Sequence, residues 1–136
     1  MPRVEGNEDG LTTALLRELK TRCPHLIVLH HRDLTAGIPD LSTTGYGRTC
    51  WWELKHARPV FMSRGIQRLT CRRLAAGGTC LYIVYHQYDC GRTTFVAHPD
   101  DITASPINAK NVERIEAADG FDHAWVCDRI MERHLK

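Results

Sequence analysis

Long apolar runs are absent from this chain of 136 residues. No segment approaches the ~20 apolar residues that a membrane-spanning helix needs. The first residues also lack the apolar core of a signal peptide. We therefore expect a cytoplasmic protein that has no membrane partner.

Motifs that bind structural zinc are also missing. The six cysteines include no Cys-x-x-Cys pair, and the eight histidines are scattered along the chain. Disulfides are not expected in a cytoplasmic protein, because that compartment is reducing. The cysteines are therefore predicted to act as small hydrophobic residues.

An excess of charge of one sign is lacking as well, because 18 Lys and Arg oppose 16 Asp and Glu, for a net charge of +2. Total charge thus does not point to a nucleic acid, and the distribution of charge must be considered instead. Hydrophobic residues make up 43% of the chain and charged residues 25%, as in a soluble globular protein. Without repeats or low-complexity segments, residues 1–136 are predicted to form a single domain.

Hydrophobic periodicity and turn residues predict eight elements. These are a helix ending near Arg22, strands at 26–31, 40–43 and 49–55, a helix at 64–76, strands at 80–86 and 93–98, and a helix at about 122–133. The stretch 99–120 is weakly patterned and is expected to be loop with short helical turns. The order predicts an α/β or α+β architecture, a mixed sheet flanked by helices.

Two carboxylates and a lysine stand out in the second and third strands. Asp40 precedes a turn around Tyr46, and Glu53 and Lys55 follow it. A hairpin at this turn sets Asp40 opposite the region of Trp52 and Glu53, and alternation places Glu53 and Lys55 on one face. Two carboxylates held together repel unless one is protonated or a cation lies between them.

This arrangement is suited to phosphodiester hydrolysis. Oxygen ligands are preferred by Mg²⁺, which substrate phosphate often completes, and a lysine can stabilise the charge of the transition state. The alternative is an ordinary exposed strand with a Glu-x-Lys face. Trp51 and Trp52 count against that alternative, because a fully solvated strand would not carry them.

The residues "GIPD" and "ELK", Gly37 to Asp40 and Glu53 to Lys55, resemble the motif of the PD-(D/E)XK nucleases. Within that superfamily the Gly-x-Pro-Asp form looks like the VRR-NUC domains and, more distantly, the archaeal Holliday-junction resolvases. Glu8, Gln67 and Gly77 match further family positions, so the resemblance spans roughly residues 8–85. The Val-Arg-Arg signature of the VRR-NUC domains has no clean equivalent.

The resemblance implies a restriction-endonuclease-like core and a metal-dependent site. Asp40 and Glu53, the backbone carbonyl of Leu54 and Glu8 would bind Mg²⁺ or Mn²⁺. Lys55 would be the catalytic lysine, with Gln67 and Glu8 as further catalytic residues. Glu8 has an alternative interpretation as an acidic residue favoured by the helix dipole, and Glu18 on the same helix is a rival for its role.

A basic stripe follows the candidate site. The spacing places Arg64, Arg68 and Arg72 four residues apart on one face of the second predicted helix, without acidic residues at i±4 to pair with them. The apolar residues of this helix are expected to lie roughly toward the sheet: Ile66, Leu69 and Leu74. An anionic partner would explain such a stripe, and an ordinary solvated face is the alternative. Arg32 and His56 flank the site in sequence and are further candidates for phosphate contact.

The sequence thus favours an Mg²⁺-dependent DNA endonuclease, encoded by a bacterium or a phage, and the resemblance to resolvases and VRR-NUC domains implies branched or structured DNA as its substrate. A four-way junction needs two symmetric cuts, so a homodimer is expected. One alternative is a catalytically silent DNA-binding or assembly subunit with the nuclease fold. Another is the nuclease subunit of a restriction or transposition complex.

Overall fold

The computed structural model describes residues 8–31, 37–57, 65–88, 91–100, 113–116 and 120–136. Within these ranges the chain forms three helices and six strands. In chain order these are α1 (Glu8–Arg22), β1 (Ile27–His30), β2 (Leu41–Gly45), β3 (Arg48–Ala57), α2 (Gly65–Gly77), β4 (Thr79–Tyr88), β5 (Gly91–Ala97), β6 (Glu113–Glu116) and α3 (His123–Leu135).

The strands form one mixed sheet in the order β1-β2-β3-β4-β5-β6. Neighbouring strands are antiparallel except β3 and β4, which are parallel and are connected through α2. The predicted α+β architecture, a mixed sheet flanked by helices, is confirmed. No helix in the described ranges is long and apolar enough to cross a membrane.

A two-residue turn joins β2 to β3 and fixes their register. Tyr46 and Gly47 have φ angles of 54° and 81°, and positive φ at both positions is the signature of a type I′ hairpin turn. The last pair before the turn is Gly45 with Arg48, and the last pair at the other end is Leu41 with Trp52. The turn therefore determines which residues of the two strands lie opposite each other.

The two faces of the sheet bury different sets of residues. On one face Leu11, Leu15 and Leu19 of α1 pack with Trp52 and Leu54 of β3, together with apolar residues of α3. On the other face Cys71 of α2 packs with Cys80, Tyr82 and Val84 of β4. Because strand side chains alternate between faces, Glu53 and Lys55 lie on the face that carries α2.

A chain of buried hydrogen bonds ties the end of α3 to the hairpin. The Trp52 indole N–H donates to Thr43 Oγ1 at 2.9 Å, and that hydroxyl lies 2.7 Å from His134 Nε2. His134 Nδ1 lies 3.1 Å from the Gly45 carbonyl, which can only accept. The imidazole therefore donates from Nδ1 and accepts from Thr43 at Nε2, as a neutral ring. Burial lowers the pKa of His134 and favours this neutral form.

Two expectations from the sequence prove wrong. Residues 113–116 form the edge strand β6, whereas loop with helical turns was expected there; the segment alternates between partly buried and exposed residues and pairs with β5. Leu69 was expected to face the sheet, but it is exposed, and Cys71 is buried in its place. The inward face of α2 is thus set by Cys71 with Leu74 and Ala75.

Replacing Thr43 by Val tests the buried chain. The substitution keeps the shape of the side chain but leaves the Trp52 N–H and His134 Nε2 without their partner, so we expect unfolding to become easier by about 2 kcal/mol or more. Chemical denaturation measures the change. The matched control is Thr44→Val, because the Thr44 hydroxyl lies 2.9 Å from the Thr49 hydroxyl at an exposed position. Equal effects of the two substitutions would contradict the role of Thr43.

Candidate functional site

The two motif carboxylates lie close together at the start of β2, where β3 extends beyond it. The pairing of β2 with β3 stops at Leu41 and Trp52, and extending that register by one residue sets Asp40 opposite Glu53. β3 runs on to Ala57 with β4 as its partner. From Glu53 onward, β3 therefore pairs with β4 on one side and no longer pairs with β2 on the other.

Reciprocal hydrogen bonds hold the two carboxylates in place. The Asp40 N–H donates to Glu53 Oε1 at 3.1 Å, and the Leu54 N–H donates to Asp40 Oδ2 at 2.9 Å. Each carboxylate thus accepts a bond from the backbone of the strand that carries the other. The pair is fixed by the backbone, so its geometry does not depend on flexible side chains.

Lys55 completes the group on this face of the sheet. Its ammonium lies 3.5 Å from Glu53 Oε2, and 13% of its side chain is exposed, against 1% for Glu53. Its Nζ therefore lies between a buried acid and solvent. From that position the ammonium can contact an anion that approaches the carboxylates.

Burial, together with the nearby charge of Asp40, raises the pKa of Glu53 to about 9, against the opposing effect of Lys55. Removal from water penalises the charged form of a carboxyl group, and a second carboxylate adds repulsion. Lys55 does not offset these two effects. Glu53 therefore holds its proton at neutral pH, and an added cation would be needed to stabilise the pair with both carboxyl groups ionised.

A divalent cation fits this need. Hard oxygen ligands suit Mg²⁺ and Mn²⁺, and Mg²⁺ commonly uses only one or two protein carboxylates and keeps several waters. No group of three His, Cys, Asp or Glu side chains suited to a metal ion occurs among the described residues. The donor set here is thus the two carboxylates, which matches the small protein contribution that Mg²⁺ requires.

The backbone of Leu54 adds a possible oxygen ligand. Its N–H already points to Asp40, and the N–H and C=O groups of one residue in an antiparallel ladder face the same neighbour. The Leu54 carbonyl is therefore expected to point to the same side of β3 as Asp40. Its role as a ligand remains a prediction.

Some candidate residues are not brought to the pair. His56 lies on the opposite face of the sheet, where its Nε2 is 3.0 Å from Gln87 Oε1 and its ring stacks on Tyr85. Glu18, the rival to Glu8, forms a salt bridge of 2.8 Å with Arg22 on the surface of α1. These contacts give no support to a role for either residue in the site.

Other candidates fall wholly or partly outside the described residues. Glu8 begins α1 and Gln67 and Arg68 lie in α2, but their side chains are outside the described part of the structure. Arg32 and Arg64 lie outside the described ranges altogether. The roles of all five stay predictions.

The basic stripe on α2 has an acidic partner that the sequence did not reveal. Arg72 is exposed, and its Nε donates to Asp100 Oδ1 at 2.7 Å. Asp100 follows β5 and also lies 3.7 Å from His98 Nδ1. Arg72 therefore has an acidic partner outside its own helix, and its proposed phosphate contact would have to compete with Asp100.

Sequence reasoning missed a histidine beside the carboxylates. The backbone N–H of His31 donates to the backbone carbonyl of Asp40 at 2.7 Å, which continues the β1–β2 ladder by one residue. His31 Nε2 lies 2.7 Å from Ser42 Oγ, and its ring centroid is 5.1 Å from that of Trp51. A single histidine after an apolar run carries no signal until the strand register is known.

The raised pKa of Glu53 predicts a specific pH dependence. Because the pKa rises from 4.5 to about 9 on folding, the folded state binds more protons between these values. The stability due to this group is complete below pH 4.5 and is lost as the pH rises toward 9. Without metal, the stability of Glu53→Gln relative to the native protein should rise over this range, by at most about 1.4 kcal/mol per pH unit.

Thermal or chemical denaturation in EDTA at several pH values measures this difference. Glu116→Gln, on the exposed face of β6, is the control and should follow the native protein at every pH. A difference between Glu53→Gln and the native protein that does not change with pH would contradict the raised pKa.

Three comparisons relate the chain to known proteins. No protein-family profile matches the sequence, and no curated protein matches it. Among solved structures, the chain is similar to Hjc, a Holliday junction resolvase from the archaeal hyperthermophile Archaeoglobus fulgidus. That similarity has a TM-score of 0.46 and 11% sequence identity, and it covers 87% of this chain and 96% of that one. Similarity at this level does not establish a family.

Proposed function

We propose that the chain is a metal-dependent endonuclease that hydrolyses phosphodiester bonds in DNA, a member of the PD-(D/E)XK superfamily. One observation carries the proposal: Asp40 lies opposite the buried Glu53, and Lys55 lies on the same face, 3.5 Å from Glu53. The pair needs positive charge, the lysine can contact an anion, and the phosphodiester is an anion that hydrolysis makes more negative in the transition state.

Asp40, Glu53 and the Leu54 carbonyl would hold Mg²⁺ or Mn²⁺, with Glu8 as a further candidate ligand. When bound, the ion supplies Lewis-acid stabilisation of phosphate oxygens and lowers the pKa of a coordinated water. The protein contributes the fixed geometry of the ligands, because both carboxylates accept bonds from strand backbone. A preorganised site loses little energy in rearrangement during the reaction.

Lys55 is proposed to contact the substrate phosphate beside Asp40 and Glu53. Its ammonium can donate to a non-bridging phosphate oxygen or orient the attacking water, and Glu53 limits the positions that Nζ can take. The amine would thus approach the same phosphate as an ion held by Asp40 and Glu53. Gln67 is proposed as a supporting residue on the sequence resemblance alone.

Branched or structured DNA is the proposed substrate. The support is the likeness of the Gly37 to Asp40 and Glu53 to Lys55 motifs to those of the Holliday-junction resolvases. Two symmetric cuts in a four-way junction would require two sites, so we propose a homodimer. Arg64, Arg68, Arg72, Arg32 and His56 remain candidates for sequence-independent phosphate contacts.

Lys55→Ala tests the chemistry of the site. With Mg²⁺ and labelled four-way junction, flap and linear duplex DNA, we expect the native protein to cleave the branched substrates. The variant should lose roughly 100-fold or more of the rate, as happens when one group that stabilises the transition state is removed. EDTA should abolish the cleavage.

Lys20→Ala, an exposed lysine in the last turn of α1, is the matched control and should keep the native rate. Undiminished cleavage by Lys55→Ala would refute the assignment of the lysine. DNA binding without metal-dependent cleavage of any substrate would instead identify a silent DNA-binding subunit. Cutting of linear duplex at one sequence would favour a restriction enzyme.

A further inference from the structure

His31, Asp40 and Glu53 form one row across three neighbouring strands. Extending the β1–β2 register by one residue sets His31 opposite Asp40, whose backbone carbonyl accepts from the His31 backbone N–H, and extending the β2–β3 register by one residue sets Asp40 opposite Glu53. Residues directly opposite in antiparallel strands have Cβ atoms about 4.5–5.5 Å apart and lie on the same face. The imidazole therefore neighbours the carboxylate pair on the face that carries Lys55.

Two contacts fix the ring of His31 in that position. Ser42 Oγ lies 2.7 Å from Nε2, and Trp51 packs against the ring at 36° with centroids 5.1 Å apart. Ser42 is opposite Trp51 in the adjacent row of the sheet. Ser42 and Trp51 thus hold the ring on the side away from Lys55, beside the place where the proposed substrate phosphate would bind.

We propose that His31 contacts a phosphate of the nucleic acid beside the Asp40–Glu53 pair, with Ser42 and Trp51 as positioning residues. The inference rests on the proposed function and adds a substrate contact to the same site. When the Ser42 hydroxyl donates to Nε2, the ring proton lies on Nδ1, which is then a donor for a phosphate oxygen. His31 and Lys55 would approach the phosphate from opposite sides of the pair.

A purely structural role for His31, as the residue that follows β1, predicts different behaviour. Such a role needs the backbone N–H, which every residue except proline supplies, and the packing of the ring on Trp51. Phenylalanine would keep both of these and remove only the ring nitrogens. Glutamine would keep a side-chain N–H donor and remove the ring.

The experiment measures binding and turnover separately. Anisotropy of labelled junction DNA without metal gives Kd, and cleavage with Mg²⁺ gives KM and kcat. We expect His31→Phe to raise Kd and KM about tenfold, the loss expected for one charge-assisted hydrogen bond, with kcat within about twofold of the native value. His31→Gln should restore most of the affinity, and Ser42→Ala should weaken binding by a smaller factor.

His25→Phe, on an exposed position between α1 and β1, is the control and should leave Kd and KM unchanged. Native Kd and KM in His31→Phe would overturn the proposal, and so would equal losses in the Phe and Gln variants, because packing would then explain the effect. A thermal melt checks that each variant is folded; if His31→Phe is unfolded, the Gln and Ser42→Ala variants decide by their Kd.

The two proposals can fail separately. A native protein that binds DNA but does not cleave it refutes the nuclease, while the effect of His31→Phe on Kd still decides the phosphate contact. A native protein that cleaves DNA, with an unchanged Kd and KM in His31→Phe, refutes only the contact. A native protein that does not bind DNA refutes both.

Discussion

The placement of a buried glutamate opposite a second carboxylate is the constraint on which the site depends. Glu53 is 1% exposed and lies across from Asp40, with Lys55 as a nearby cation. Burying a charge costs free energy unless it is compensated, and burial raises the pKa of Glu53 to about 9. A protein that served only its own stability would gain from an apolar residue there, so the carboxyl group indicates a function.

The two faces of the sheet carry different features: one packs against α1 and α3, and the other carries the candidate site. On one face the hydrogen bonds from Trp52 through Thr43 to His134 attach α3 to the hairpin. That attachment holds β2 and β3 in the register that brings Asp40 to Glu53. The other face carries Asp40, Glu53 and Lys55, beside the point where the pairing of β2 with β3 stops. The core on one face therefore keeps the site on the other in position.

Much of the site could be predicted because its geometry is local. A turn at Tyr46 and alternation along two short strands are enough to set Asp40 opposite Glu53 and to place Lys55 beside it. The predicted hairpin over Tyr46 is observed, with Leu41 opposite Trp52 and the Asp40 N–H donating to Glu53 Oε1. The mixed sheet also followed from the order of apolar runs and turn residues, which depends mainly on short-range patterns.

The features that were missed depend on contacts between distant segments. Arg72 pairs with Asp100 across 28 residues, which no helical spacing can reveal. His31 joins the site only through the β1–β2 register, and β6 is a short edge strand stabilised by pairing with β5. Leu69 was expected to face the sheet but is exposed, because contacts with the sheet decide which face of α2 is buried.

The central claim, that Asp40 and Glu53 form a cation site, is tested most directly by calorimetric titration of metal-ion binding. Mn²⁺ and Mg²⁺ are titrated into the native protein and the Asp40→Asn variant below pH 9, in two buffers with different ionisation enthalpies. We predict that the native protein binds the ion and releases a proton from the pair, because Glu53 must ionise to bind it, and that the variant loses this binding. Equal binding by both proteins, or native binding that releases no proton, would contradict the account.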